Sequence, residues 1–137
     1  MPGHVQWLIP NRVIYVKIAG DYQLETVKQV LAAAKPMVDN GIAPVHVVWD
    51  MTEITKMPTD IREPISQLNH LRDHPNGGWI TMIANSVMIR FAGQIASRLL
   101  GANYRSVSTF DEAIQTLSRI DLTIADDLNH LPEPSLY

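Results

Sequence analysis

Residues 43–50, APVHVVWD, are the most informative part of this sequence for its fold class. This stretch is short, apolar and rich in valine, which is the pattern of a central strand covered on both faces of a sheet. The preceding residues 24–38 instead place apolar side chains three and four positions apart, which predicts a helix. Pro36 lies inside that pattern, so we expect the helix to kink or to end near Lys35. A helix that leads into a doubly covered strand indicates an α/β protein.

Two further strand patterns precede this helix. Residues 4–9 (HVQWLI) stop at the turn dipeptide Pro10-Asn11, and residues 13–19 (VIYVKIA) stop at Gly20-Asp21. Two strands joined by so short a turn form an antiparallel hairpin. The hairpin is therefore predicted to supply an antiparallel edge to the sheet.

Downstream of the central strand, helix and strand patterns continue to alternate. The predicted segments are a loop over 51–58, a helix over 59–73, a strand over 79–84, a helix from Asn85-Ser86 to Gly101, a strand over 104–107 and a helix over 109–120. In the middle one of these helices we expect Met88, Phe91, Ala92, Ile95 and Leu99 to face the core. The last helix opens with Thr109 and Glu112 in the capping-box spacing. The order ββαβαβαβα with right-handed crossovers predicts a mostly parallel five-stranded sheet.

Length and composition exclude several classes of protein. A chain of 137 residues makes one domain, and 46% hydrophobic with 18% charged residues excludes a disordered protein. No apolar run reaches the length that spans a bilayer, and the first residues lack the basic flank and apolar stretch of a secretory signal. With no cysteine there is no thiolate chemistry, and we expect a cytoplasmic protein.

The charge is unevenly distributed along the chain. Residues 121–137 carry four acidic side chains and no Lys or Arg, and the eleven basic residues lie scattered through residues 1–120. Scattered bases cannot follow a phosphate backbone, so we expect no nucleic-acid partner.

The acidic segment is also apolar, with four leucines and an isoleucine. We therefore divide the chain into a domain, residues 1–120, and a C-terminal tail, residues 121–137, that packs on the domain or on a second subunit of a homodimer. A sequentially wound sheet is expected to carry its helices on one side. The tail would then cover the opposite face, which bears Tyr15 and Lys17.

Two segments carry a resemblance to a known family. They are VHVVWDMT at residues 45–52 and YRSVSTFDEAI at residues 104–114, where the last strand enters the last helix with an acidic-Ala pair at its start. Together with the element order over about residues 4–120, they resemble the STAS domains, the fold of anti-sigma-factor antagonists of the SpoIIAA type. The divergent SpoIIAA-like branch, whose members largely lack an assigned activity, is the most similar. The resemblance implies a non-catalytic module that docks a regulatory protein.

The same resemblance identifies a candidate phosphoacceptor. In phosphorylated antagonists the third strand is followed by Asp-Ser-Ser/Thr-Gly, and the serine is phosphorylated by the partner kinase. The matching stretch here is MPTDI at residues 57–61, which places Thr59 at the acceptor position. Pro58 replaces the preceding Asp, the Gly is missing, and Asp60 adds a negative charge that repels a phosphate. The alternative role for Thr59 is a helix N-cap.

No pattern in the sequence predicts a catalytic or metal site. His70 and His74 have the four-residue spacing of a metal-binding pair, but no third ligand accompanies them. His46 lies in the buried strand, which favours a hydrogen-bonded core residue. Asp50 and Glu53 could pair as acid and base, but carboxylates at strand ends are common turn residues. We therefore predict no catalytic residue, no metal and no cofactor.

Open parallel sheets bind ligands beyond the carboxyl ends of their strands. The polar residues predicted there, called the carboxyl edge below, are Asp50, Thr52, Glu53, Thr55, Thr59, Asp60, Asn85, Ser86, Ser108 and Thr109. Our first interpretation is that a partner protein docks at this edge, next to the N-terminus of the second helix. The alternative is a binder or sensor of a small apolar ligand, for which the six methionines would supply adaptable contacts. An enzyme of unknown type is the third hypothesis.

Overall fold

A computed structural model of the chain describes residues 3–57, 60, 62–87, 91, 93–95, 98 and 103–131. Its five strands are β1 (Gly3–Ile9), β2 (Val13–Asp21), β3 (Val45–Lys56), β4 (Gly77–Ile83) and β5 (Tyr104–Val107). They form one sheet in sequence order, with β1 antiparallel to β2 and every other neighbouring pair parallel. The α/β fold class and the mostly parallel five-stranded sheet are confirmed.

The helices flank this sheet. They are α1 (Leu24–Asn40), α2 (Arg62–Ser66), α3 (Asn69–Arg72), α4 (Phe110–Ile120), a 3₁₀ turn (Leu122–Ile124) and α5 (Ala125–Leu128). Between β4 and β5, residues 87, 91, 93–95 and 98 are helical. α1 continues through Pro36 to Asn40 instead of ending near Lys35. No helix in the described part of the chain is long and apolar enough to cross a membrane.

The prediction of one helix over residues 59–73 is wrong. Two short helices, α2 and α3, occupy the described part of that range. The backbone N–H of Leu68 bonds the carbonyl of Ile65, and that of Leu71 bonds the carbonyl of Leu68, each at 3.0 Å. Such three-residue bonds tighten the chain to about 3.0 residues per turn. Apolar residues spaced three apart then all point the same way, and Ile65, Leu68 and Leu71 are all buried.

The prediction of a loop over residues 51–58 is wrong for residues 51–56. Those residues continue β3, which stays paired with β2 as far as Asp21 opposite Lys56. β4, on the other side of β3, reaches its last pair where Ile83 lies opposite Asp50. The end of β3 therefore projects beyond β4.

The core consists of two apolar layers, one on each face of the sheet. On the first face, Ile14, Val16 and Ile18 of β2 pack with α1 and the α2–α3 segment. On the second face, Tyr15 packs in a cluster with α4, and Ile124 and Leu128 of the tail are buried in the same cluster. The expectation that all helices lie on one side is wrong for α4. The crossover rule governs only helices between parallel strands, and no described strand follows α4.

Candidate functional site

Asp50, the first residue of the carboxyl edge, is buried and accepts three hydrogen bonds. The Tyr15 hydroxyl donates to its Oδ2, while the backbone N–H and the hydroxyl of Thr52 donate to its Oδ1 at 2.9 and 2.7 Å. Burial, and then the hydrogen bond to Asp50, raise the pKa of Tyr15 far above its ordinary value of 10. These bonds fix β3 at the irregularity between Asp50 and Glu53, so Asp50 and Thr52 serve the strand itself.

Glu53 and Thr55 follow on the projecting end of β3, and both are exposed. The Glu53 carboxylate pairs with the Lys17 ammonium at 3.0 Å. Asp50 and Glu53 therefore each have their own partners, and the described contacts do not join them as an acid and a base. What β3 presents at this edge is a short row of solvated polar side chains.

Asp60 accepts a backbone hydrogen bond at the start of α2. Its Oδ1 accepts the backbone N–H of Arg62 at 3.0 Å, at the start of α2. Hydrogen bonds from the Arg62 side chain and backbone hold the pKa of the Asp60 carboxyl below its ordinary value. Thr59 and Pro58 lie outside the described residues, so the phosphoacceptor assignment of Thr59 stays a prediction.

Asn85 and Ser86 are exposed at the end of β4, and two large apolar side chains beside them are exposed as well. Val87 has 85% and Phe91 61% of its surface accessible. The prediction that Phe91 faces the core is wrong; Met88, Ala92 and Leu99 lie outside the described residues, and Ile95 packs against the first apolar layer.

The reason for the exposure of Phe91 lies two residues further on. Gly93 is buried against β5, where an added Cβ would come within 3.0 Å of the Ser106 Oγ and 3.3 Å of the Tyr104 hydroxyl. The helix thus meets the sheet through the side of Gly93, and a residue two positions away points to the opposite side. Phe91 consequently faces solvent.

Ser108 and Thr109 are used by the start of α4. The Thr109 hydroxyl accepts the backbone N–H of Glu112 at 3.1 Å, and the Glu112 carboxylate accepts the backbone N–H of Ser108 at 3.2 Å. This is the predicted capping box, with the carboxylate reaching one residue further back than expected. These two residues of the edge therefore cap a helix.

The opposite, amino end of the sheet holds a polar cluster that the sequence analysis missed. Arg12, at the hairpin turn, pairs with Asp121 of the tail at 2.6 Å, and Arg12 also donates to the Thr123 hydroxyl at 3.0 Å. The Nε2 of His46 lies 3.0 Å from the same Asp121 oxygen. These residues, called the tail clamp below, join the hairpin, β3 and the tail.

His46 is the buried centre of the tail clamp. The backbone N–H of Trp79 can only donate, so the Nδ1 of His46, 2.9 Å away, accepts. The proton of the neutral ring then sits on Nε2 and is donated to Asp121. Burial lowers the pKa of His46 below 6.5, against the opposing hydrogen bond and charge of Asp121. Both ring nitrogens are occupied, so His46 is the hydrogen-bonded core residue that its strand position predicts.

Of the two histidines with metal-pair spacing, His74 is engaged in other bonds. The Nε2 of His74 bonds Asp39 at 2.5 Å, and its Nδ1 accepts the backbone N–H of Asn76 at 2.9 Å. No group of three or more metal-ligating side chains occurs among the residues that the structure describes.

Comparison with known proteins gives a match in fold alone. No protein-family model matches the sequence, and no curated protein matches it. The anti-sigma factor antagonist SpoIIAA in its unphosphorylated form is similar with a TM-score of 0.60 at 15% identity, over 87% of this chain and 98% of that one. An uncharacterized DUF3478-family protein with a SpoIIAA-like fold from Shewanella loihica PV-4 is similar with a TM-score of 0.60 at 12% identity, over 84% of this chain and 91% of that one.

These likenesses confirm the fold that the resemblance implied: the chain has a SpoIIAA-like STAS fold. Similarity at such low identity concerns the arrangement of strands and helices alone.

Proposed function

We propose that this chain is a non-catalytic interaction module that docks a regulatory protein at its carboxyl edge, beside the start of α2. The observation that supports the proposal is that exposed Asn85, at the end of β4, is followed along the chain by two exposed apolar side chains, Val87 and Phe91. Exposed apolar side chains flanked by polar residues are the usual composition of a protein–protein interface. The partner is taken to be a regulatory protein because SpoIIAA, which shares the fold, is an anti-sigma factor antagonist.

The projecting end of β3 supports the same surface. Residues 51–56 run beyond the last β4 pair, and no described strand lies on that side of them. Peptides commonly bind by adding a strand to such an open edge. An extended segment of a partner could therefore pair along β3 while its neighbouring residues cover Phe91.

A catalytic role is disfavoured by the hydrogen bonding of the candidate groups. Asp50 accepts three hydrogen bonds, and both ring nitrogens of His46 are engaged. A general base needs a lone pair within reach of a substrate proton. His46 offers none in this arrangement, and three of the about four lone-pair sites of the buried Asp50 carboxylate are taken.

A site-specific photocrosslinker tests the docking surface. It is placed at position 55 on the carboxyl edge and, as a matched control, at the exposed position 115 of α4 on the second face. In cells that express the protein naturally, we expect a discrete crosslinked product from position 55 only. Phe91→Asp should reduce that product, because it replaces an exposed apolar side chain of the proposed docking surface by a charge. Identical products from the two positions, or none from position 55, would contradict the proposal.

The phosphoacceptor prediction for Thr59 has a separate test. Mass spectrometry of the protein from native cells measures the fraction that carries phosphate on Thr59. Stoichiometric phosphate would make docking a regulated switch, whereas an unmodified Thr59 supports the helix-terminal role. If Thr59 is a cap, Thr59→Ala costs about 1 kcal/mol and Thr59→Asp restores most of it.

A further inference from the structure

A groove on the outer side of the first apolar layer runs between α1 and the α2–α3 segment. It has a volume of about 320 Å³ and is lined by Lys28, Leu31, Ala32, Lys35, Gln67, His70, Leu71 and His74. We propose that this groove binds a small carboxylate with an apolar body, such as a medium-chain fatty acid. The volume lies at the lower end of the range of about 300–1,000 Å³ typical of small-molecule sites. None of the lining residues belongs to the carboxyl edge, so the site goes beyond the proposed function.

The floor of the groove is apolar. Leu31 and Leu71 are 8% and 5% exposed, and both belong to the first apolar layer. Ala32 lies beside them on α1 and is exposed, and its single methyl group leaves the space open. A ligand with a hydrocarbon chain would cover these three side chains from water, which is favourable in proportion to the area covered.

The rim of the groove is cationic. Lys28 and Lys35 are seven positions apart on α1, so they lie on the same side of the helix. Lys35 pairs with Asp39 at 3.0 Å, but Asp39 also bonds His74, so that carboxylate is shared. Lys28 makes no ion pair or hydrogen bond with any residue that the structure describes.

The lining itself contains no carboxylate. The amide of Gln67, at the far wall, donates to Glu63 at 3.2 Å, and Glu63 does not line the groove. A ligand carboxylate placed near Lys28 would therefore meet a positive charge above an apolar floor. This combination selects an anionic amphiphile over either a simple anion or a neutral hydrocarbon.

Calorimetric titration of the purified chain with three probes tests the ligand class. Octanoate has both the charge and the chain, octanol has the chain alone, and butyrate has the charge with little chain. We expect octanoate to bind several-fold more tightly than either of the others. Octanol binding equally well would overturn the role of the lysines, and butyrate binding equally well would overturn the role of the apolar floor. No octanoate binding at millimolar concentration would overturn the proposal altogether.

Two variants locate the site. Ala32→Trp fills the groove from an exposed position, so the protein should fold and lose octanoate binding. Lys28→Gln should weaken binding about two- to fivefold, the range of a solvent-exposed charge pair. Arg119→Gln, the control, removes another exposed positive charge from α4 on the second face and should leave binding unchanged. Unchanged binding in Ala32→Trp, or equal losses in Lys28→Gln and Arg119→Gln, would place the ligand elsewhere. Neither variant touches the carboxyl edge, so failure here leaves the docking proposal standing.

Discussion

The two ends of the sheet use polar residues in opposite ways. At the amino end, Arg12, His46 and Asp121 bond one another, and His46 is almost completely buried. At the carboxyl end, Asp50 is likewise bonded and buried, but Glu53 and Thr55 beyond it are exposed. Polar groups that satisfy one another stabilise the fold, whereas polar groups that face solvent are available to a partner.

At the amino end, the largest loss of stability is expected from removing the whole tail. Truncation after Ile120 deletes Asp121 and the buried Ile124 and Leu128. Burial of two such side chains contributes about 1.5–3 kcal/mol each, so with the ion pair we expect a loss of about 5 kcal/mol or more. Urea denaturation measures the loss, and light scattering of the full-length and truncated chains shows whether the tail also joins two subunits. An equally stable truncated chain of unchanged oligomeric state would show that the tail is a loose appendage.

Asp121→Ala measures the contribution of the tail clamp at the amino end, without removing the apolar residues of the tail. It leaves Arg12 and the buried His46 without their shared partner, and breaking a largely buried pair costs about 3 kcal/mol. Asp126→Ala is the matched control, because that tail carboxylate is 97% exposed and lies 3.6 Å from His130. We expect the control to change the free energy of unfolding by less than about 0.5 kcal/mol. Equal effects of the two variants would remove the distinction between the clamp and an ordinary surface acid.

Acid should lower the folding stability through protonation of Asp121 at the amino end. Burial raises the pKa of Asp121, but hydrogen bonds from Thr123 and His46 and the charge of Arg12 outweigh it and lower the pKa to about 2. An unfolded Asp titrates near 3.8, so the unfolded state binds more protons between the two values. The contribution of the Asp121 carboxylate to stability is therefore fully present above about pH 4. The free energy of unfolding falls by about 2 kcal/mol as the pH drops toward 2.

His46 should cause a further loss of stability, which begins at a higher pH. Its pKa is lowered below 6.5, so the unfolded state takes up a proton first as the pH falls through that value. Urea midpoints from neutral pH down to pH 3 should decline throughout. Below pH 4, the decline of the urea midpoint should be shallower in Asp121→Asn than in the wild-type chain. An identical decline in the two proteins would assign the acid effect to other carboxylates.

At the carboxyl end, the buried and the exposed residues should respond differently. Tyr15→Phe removes the donor to Asp50 Oδ2 and leaves a buried acceptor without it, which costs about 1–3 kcal/mol. Thermal and urea unfolding of this variant, compared with wild type, measure the cost. A neutral result would mean that water replaces the hydroxyl and that Asp50 is less enclosed than the structure shows.

The smallest effect is expected where the edge is solvated. Glu53→Gln breaks the ion pair with Lys17, in which Glu53 is 56% exposed. Exposed pairs contribute between 0 and about 1 kcal/mol, so the free energy of unfolding should change by less than about 0.5 kcal/mol. The crosslinking yield from position 55 should change if Glu53 contacts the partner. A loss as large as that of Tyr15→Phe would place Glu53 among the structural residues.

The features that the sequence predicted correctly are those determined by nearby residues. The hairpin, the central strand and the capping box of Thr109 and Glu112 all follow from spacings within a few positions. The tail clamp does not, because Arg12 and Asp121 are 109 positions apart. Likewise, Phe91 faces solvent because of how Gly93 meets β5, and that contact cannot be deduced from the apolar period of the helix.

The position of the second apolar layer in the sequence determines when each face of the sheet is covered during synthesis. β1, β2 and β3 and their α1 cover come from the first part of the chain, whereas Leu117, Ile124 and Leu128 come near its end. A nascent chain on the ribosome can therefore bury Ile14 before anything exists to cover Tyr15. Until the tail emerges, that uncovered sheet face is a surface that chaperones or neighbouring nascent chains would bind.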